Sequence, residues 1–236
     1  MGINNGNSIY KGSDGPNDFT GMSGAVVLPL KVDGGGNLTN NGANLTISGQ
    51  NAWAEGNNTE SSGFATHAEG DSTKSSSNCS HAEGRSSKSS GFASHAEGLY
   101  SQATASGAHA EGSNTEATAQ NAHAEGNYTK ATGAHSHAEG SASEANGERS
   151  HAGGNHCLAN GADSFAHGKE LKTTSDRCAV FGAFNADEAA YLIVGNGTDD
   201  NARTNVFKVD KSGNLWFIHN GVLTSLSALL NSHNIT

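Results

Sequence analysis

Ser94-His95-Ala96-Glu97-Gly98 is one copy of the phrase whose reading decides the fold. His-Ala-Glu-Gly starts at His67, His81, His95, His109, His123 and His137, each time fourteen residues after the last. Degenerate copies carry the register outward: Trp53-Ala54-Glu55-Gly56 before it, then His151-Ala152-Gly153-Gly154, Phe165-Ala166-His167-Gly168 and Ala179-Val180-Phe181-Gly182 after it. The glycines of the phrase, Gly56, Gly70, Gly84, Gly98, Gly112, Gly126, Gly140, Gly154, Gly168 and Gly182, never slip by a residue. A period this strict predicts a solenoid, each repeat being one coil stacked on the next.

Within a repeat the residues alternate. Read as a strand, the phrase puts His and Glu on one face and Ala, with the small residue before His, on the other. The second half alternates too: Thr or Ser usually stands three residues after the Gly (Thr59, Thr73, Ser87, Ser101, Thr115, Thr129, Ser143), and usually Ser or Ala five after it. Lys74, Lys88, Gln102, Glu116, Lys130 and Glu144 lie between them and face water. Each coil is expected to be two short strands pressing small residues together, with Gly at the corners. A helical reading fails on the density of Gly and the absence of apolar residues at helical spacing.

Composition agrees with an unusual kind of order. Hydrophobic residues make up 33% of the 236, Gly numbers 32 and Pro 2. The repeats contain almost no Leu, Ile or Val, which leaves backbone ladders and association between chains to hold the coils. Net charge is −10, from 13 basic and 23 acidic residues, so nucleic-acid binding has no electrostatic support. The three cysteines show no metal-type spacing, and two occupy positions filled elsewhere by Ser, Thr or Ala, which predicts small buried residues. No apolar run approaches membrane-spanning length, so no membrane insertion is expected, and the first thirty residues do not read as a secretory signal.

Four segments are expected: an N-terminal arm with attachment or capping strands (1–50), the repeat roll (51–182), a C-terminal β cap with an apolar core (183–220) and a short tail (221–236). The arm is irregular over 1–20, and short strands are expected between 25 and 47. Tyr191-Leu192-Ile193-Val194, Val206-Phe207-Lys208-Val209 and Leu215-Trp216-Phe217-Ile218 supply the cap. Leu223, Leu226, Leu229 and Leu230 are spaced as a short amphipathic helix.

Ser94-His95-Ala96-Glu97-Gly98, followed by Ser101, Ala103 and Ala105, resembles the head repeat of trimeric autotransporter adhesins of the YadA type. The resemblance covers residues 53–182, with His and Glu where that family carries Val and Ile. It implies an all-β fold, a left-handed parallel β-roll in which three chains intertwine as a homotrimer around a common axis. The His-Ala-Glu-Gly version, followed by Tyr191-Leu192-Ile193-Val194-Gly195-Asn196-Gly197-Thr198 and Val209-Asp210-Lys211-Ser212-Gly213-Asn214-Leu215-Trp216-Phe217, is similar to fibre proteins of phages and prophages of Gram-positive hosts. The resemblance therefore implies a structural fibre of a phage or phage-like particle. It would sit on the virion exterior, attach to other virion proteins through its N-terminal region and contact a host cell-surface glycan or protein. The runner-up is a trimeric adhesin on a bacterial surface, and a polysaccharide-degrading spike is a third reading.

By the family's geometry, His67, His81, His95, His109, His123 and His137 face the threefold axis with Glu69, Glu83, Glu97, Glu111, Glu125 and Glu139. They would form a polar seam that sets register more than stability. The alternative puts this stripe on the outer surface, as a ligand-binding face. No cofactor is required, but His135 and His137, alternate residues that would share a strand face, are candidate ligands for a metal ion on the axis. The bland alternative packs His135 where Phe64 and Phe92 sit in other coils. An enzyme is not expected, because a His/Glu pair repeated six times is not the single perturbed constellation of a catalytic cleft.

Overall fold

The computed structural model describes residues 30–32, 38–40, 45–219 and 221–232. Residues 53–196 form a parallel β-solenoid of about eleven coils, most of fourteen residues. Each repeat gives one strand to each of two sheets. The first holds the His-Ala-Glu-Gly strands, from Trp53–Asn57 through His95–Leu99 to Ala179–Ala183. The second is a ten-stranded sheet of two-residue strands, from Thr46–Ile47 through Gln102–Ala103 to Lys172–Thr173. Register is uniform: His95 pairs with His109, Ala96 with Ala110, Glu97 with Glu111 and Gly98 with Gly112. Identical residues therefore stack in columns along the rod, at the spacing of a parallel ladder, about 4.8 Å.

The interior is built from the four small residues per coil that alternation places inward. Ala96, Ala103, Ala108, Ala110, Ala117 and Ala124 are all at most 1% exposed. Thr59, Thr73, Ser87, Ser101, Thr115, Thr129 and Ser143 are buried with them. Side chains this short let the two sheets close tightly along most of the roll, with larger residues entering the interior only in the last coils, at Leu171, Val180 and Ile193. In the early coils the hydroxyls zip the sheets together: Ser89 Oγ lies 2.6 Å from Ser94 Oγ, and Ser94 Oγ donates to Gly91 O at 2.8 Å. In later coils Ala replaces the first member of the pair. Ser136, Ser150 and Ser164 then bury hydroxyls without a protein partner.

Three left-handed residues per coil turn the chain. One is the phrase glycine, as at Gly112, where φ is 110° and an added Cβ would lie 2.2 Å from the carbonyl oxygen of Gly126. No side chain fits there. The other two are usually not glycine: Ser86, Tyr100 and Asn114 hold one corner, and Ala65, Cys79, Ala93 and His135 the other, all with φ between 51° and 58°. The uniform backbone ladder holds them in a conformation L-residues otherwise avoid.

The ends differ from the sequence reading. The stack does not stop at 182, because Ala190–Asn196 pairs in parallel with Ala179–Ala183 and matches Gly182 to Gly195. Three antiparallel strands follow, Asn205–Asp210, Leu215–His219 and Val222–Ser225. The expected apolar core of this cap is formed only in part: Ile193 joins the buried interior of the roll and Phe184 is buried, but among the described residues the later strands add no buried apolar side chain. Val206, Phe207, Val209, Trp216 and Phe217 are half-buried, while Leu215 and Ile218 are exposed. A single sheet layer has nothing to bury its apolar face against. The expected helix is shorter: Leu223 lies in the last strand, and Leu226–Ser232 forms two turns with no buried residue.

At the other end Leu30–Val32 and Leu38–Asn40 pair antiparallel, the latter beside Trp53–Asn57 through Thr39 and Ala54. Thr46–Ile47 is already a rung of the second sheet. The arm expected over 1–20 lies outside the described residues. The far edge of the second sheet is closed by a side chain. Fully buried Asn185 accepts from the Lys172 N–H and donates to the Lys172 carbonyl, both at 2.8 Å, imitating one rung of a further strand.

Cys157 and Cys178 point inward, and burial pushes both thiols up, whereas Cys79 is an exposed corner residue. Among the described residues no helix is long and apolar enough to cross a membrane.

The serine columns give a direct test of this core. Ser94→Ala, which breaks a bonded pair, is expected to lower stability by about 1 kcal/mol, whereas Ser150→Ala, which removes an unpartnered hydroxyl, should be neutral or stabilising by about 1 kcal/mol. Paired thermal or denaturant unfolding measurements on the two variants check the difference.

Candidate functional site

Register fixes what the alternation only suggests: every predicted His and Glu of the stripe falls into one of two adjacent columns on the outer face of the first sheet. His67, His81, His95, His109, His123 and His137 stack as a pile of imidazoles, with ring centroids 4.7–5.0 Å apart and planes within 2–6° of parallel. Glu69, Glu83, Glu97, Glu111, Glu125 and Glu139 run beside them. An open groove of about 460 Å³ lies along the Glu column, lined by Glu83, Glu97, Glu111, Glu125 and the glycines Gly98, Gly112 and Gly126.

In the single chain the stripe is half-covered: side chains of His109 and Glu111 are 36% and 32% exposed. The rings shield one another, so the Nε2 atoms of His67, His81, His95, His109 and His123 are shut away from solvent and make no hydrogen bond. Carboxylates stand near them but beyond bonding distance. His81 Nε2 is 3.7 Å from Glu69 and 3.9 Å from Glu83, and His123 Nε2 is 3.7 Å from Glu111. Contact closes only at the far end, where His137 reaches Glu125 and His151 reaches Glu139, each at 3.2 Å.

Two electrostatic consequences follow from stacking like on like. Burial, then the neighbouring imidazoles, lowers His81 below its ordinary value, and His123 is lowered for the same reasons. His95 is lowered by burial and then by His109. Two imidazolium charges at this separation would repel by about 3.5 kcal/mol at an effective dielectric constant of 20. The carboxylates resolve the same problem by alternation. Hydrogen bonding to the adjacent carboxylates pushes Glu69 and Glu97 up to about 7, while Glu83 and Glu111, the acceptors between them, are held below the usual carboxylate range. Glu125 is raised again, chiefly by Glu111. The column is a proton-sharing ladder.

His135 does not join the stripe. It sits one position along from the Phe64 and Phe92 column, in the column of Ala65 and Ala93, as a left-handed corner residue with φ of 58°. It is exposed, with Nε2 3.3 Å from the Asn121 side-chain amide, and it precedes the strand His137–Ala138. The alternation that would place His135 beside His137 begins only after this corner.

Neither a protein-family model nor a curated protein matches this chain. The likeness drawn from the repeat is therefore confined to the stacked fourteen-residue coils.

Sequence reading missed one part of the stripe. In the coil after Glu139 the Glu position is Gly153, and one coil later it is His167, while His151 keeps the His position. His151 leaves the pile, its ring at 82° to His137 and stacked instead on Phe165 at 4.7 Å. The signal was present as adjacent degenerate copies, in which a Glu is lost and a His gained in the same column.

The ladder makes a pH prediction with a definite sign. Glu69 and Glu97 hold their protons more tightly folded than unfolded, so their contribution is full below about pH 4.5 and is lost as pH rises to about 7. Replacing both with Gln fixes the neutral, donor-bearing state. The melting temperature of the Glu69→Gln, Glu97→Gln variant should therefore gain on the wild type between pH 4.5 and pH 7 and run parallel to it above, in a series of thermal melts.

Proposed function

We propose that the chain is a structural fibre that works as a homotrimer, with the His/Glu stripe as the seam between chains. The observation that carries this reading is the stripe itself: an unbroken, half-exposed face whose stacked imidazoles keep five ring nitrogens without partners. A second chain laid against this face would complete its burial and bring partners to its part-exposed carboxylates. The cap gives further support. Leu215, Ile218 and Val222 expose apolar surface on a layer that lacks an inner face, as expected of a segment that interlocks with its copies.

A stack of about eleven coils at roughly 4.8 Å is a rod on the order of 50 Å long, the geometry of a spacer that holds something away from a surface. Together with the resemblance of the repeat to phage and prophage fibres, this favours a fibre of a phage or phage-like particle, attached through its N-terminal region and projecting toward a host surface. The acid–base pairs of the stripe are periodic and identical, which suits a contact surface and not a catalytic centre.

Light scattering or native mass spectrometry tests the reading: a mass three times 23.9 kDa is expected, and a chain that stays monomeric at micromolar concentration removes the fibre argument. Replacing His67, His81, His95, His109, His123 and His137 together with Val should leave a folded trimer if the seam is placed correctly, and should cause aggregation if that face is open to solvent.

A further inference from the structure

Where the stripe breaks its repeat, three ligand-type side chains converge. Glu139 Oε1 lies 3.2 Å from His151 Nε2 and 3.4 Å from His167 Nδ1. Glu139 and His167 belong to the same column two coils apart, and they meet only because Gly153 leaves the coil between them without a side chain. A Cβ at Gly153 would stand 2.5 Å from His167 Nδ1 and 2.7 Å from Glu139 Oε1. The vacancy is therefore a geometric requirement of the cluster, and the three departures from the repeat (Gly at 153, His at 167 and the turned ring of His151) serve one arrangement.

We propose that Glu139, His151 and His167 form a binding site for a divalent transition-metal ion of the zinc type. Two imidazoles and one carboxylate are an established donor set for such an ion. Tetrahedral bonds of about 2.0–2.2 Å place neighbouring donor atoms roughly 3.3–3.5 Å apart, close to the 3.2 and 3.4 Å from Glu139 to the two ring nitrogens, and all three donor atoms lie within 4.8 Å of one another. The regular part of the stripe also brings His/Glu trios together, among them His81, Glu83 and His95, and His123, Glu125 and His137, but with a different geometry. In it the rings are parallel, so their nitrogens run side by side instead of converging, and the carboxylates stand mostly 3.7–4.0 Å away. His151 and His167 differ in tilt by 33° and approach Glu139 from two coils, which is what a chelating cluster needs. The three residues are 27–49% exposed at the side chain, leaving a fourth position open to water or to a group from another molecule. Because Glu139, His151 and His167 sit in three successive coils, a bound ion would pin those coils together near the C-terminal end of the pile.

Titration of the full chain with zinc ion by calorimetry, and with cobalt(II) followed by visible absorption, tests the site. About one ion per chain is expected, with micromolar or tighter affinity and the intense bands of four-coordinate cobalt. The double variant Gly153→Glu, His167→Glu, which restores the ordinary repeat and so keeps the coils, should lose at least about 100-fold in affinity. His167→Ala alone should do the same should the double variant fail to fold. Zinc should also raise the melting temperature of the wild type and leave that of the folded variant unchanged. Absence of binding below millimolar zinc, or affinity that survives both substitutions, overturns the assignment.

Discussion

The structure depends on the backbone ladder between coils, and the ladder depends on identical register from one coil to the next. Inward positions are small along most of the roll, because the two sheets close tightly on one another, and larger side chains enter only near its C-terminal end. Every corner has to take a left-handed conformation, because the chain turns sharply three times in fourteen residues. These demands explain the composition better than any functional argument: Ala, Ser and Thr fill the interior, and Gly occupies the corner where the next coil's carbonyl oxygen sits closest. Hydrophobic burial, the main stabilising term in a globular domain, is thin here. The ordered hydrogen bonds of the ladder carry correspondingly more of the fold.

The same register imposes a cost on the outside. Anything placed on the outer face is repeated against itself at about 4.8 Å, so a charged residue meets its own charge again in the next coil. Lys and Glu in the second sheet meet this by mixing signs, as where Lys74 bonds Glu60 at 2.8 Å. The stripe of the first sheet cannot, since it holds one residue type per column. Burial and like neighbours lower His81, His95 and His123, while the carboxylates from Glu69 to Glu111 are raised and lowered in alternation. The repeated phrase thus encodes a polar surface on which some of the carboxylates hold their protons toward neutral pH.

Much of this was legible in the sequence, and for a physical reason: a solenoid repeats its environment along with its residues, so period and alternation together specify which positions face in. Ala96, Ser101 and Ala103 could be placed from spacing alone. What escaped the reading lies where a residue's surroundings are set by something other than period. Ala93 and His135 carry no sign of a left-handed corner, because the ladder imposes it on whatever residue arrives there, so His135 was placed in the wrong column and on the wrong face. The apolar strands after Asn196 look like a core in sequence, but a core needs two layers and one chain supplies a single one. The convergence of His151 and His167 on Glu139 depends on a missing side chain at Gly153, and an absence two coils long does not register as a motif.

Asn185 has a further meaning for how such rods behave in a crowd. A parallel sheet that simply stopped would offer its last rung to any passing strand, and solenoids left open in that way join end to end into filaments. Here a carboxamide occupies that berth, saturating the Lys172 peptide group that a newcomer would need first. The second sheet therefore has a built-in terminus at this end, which disfavours tip-to-tail addition of a further strand there.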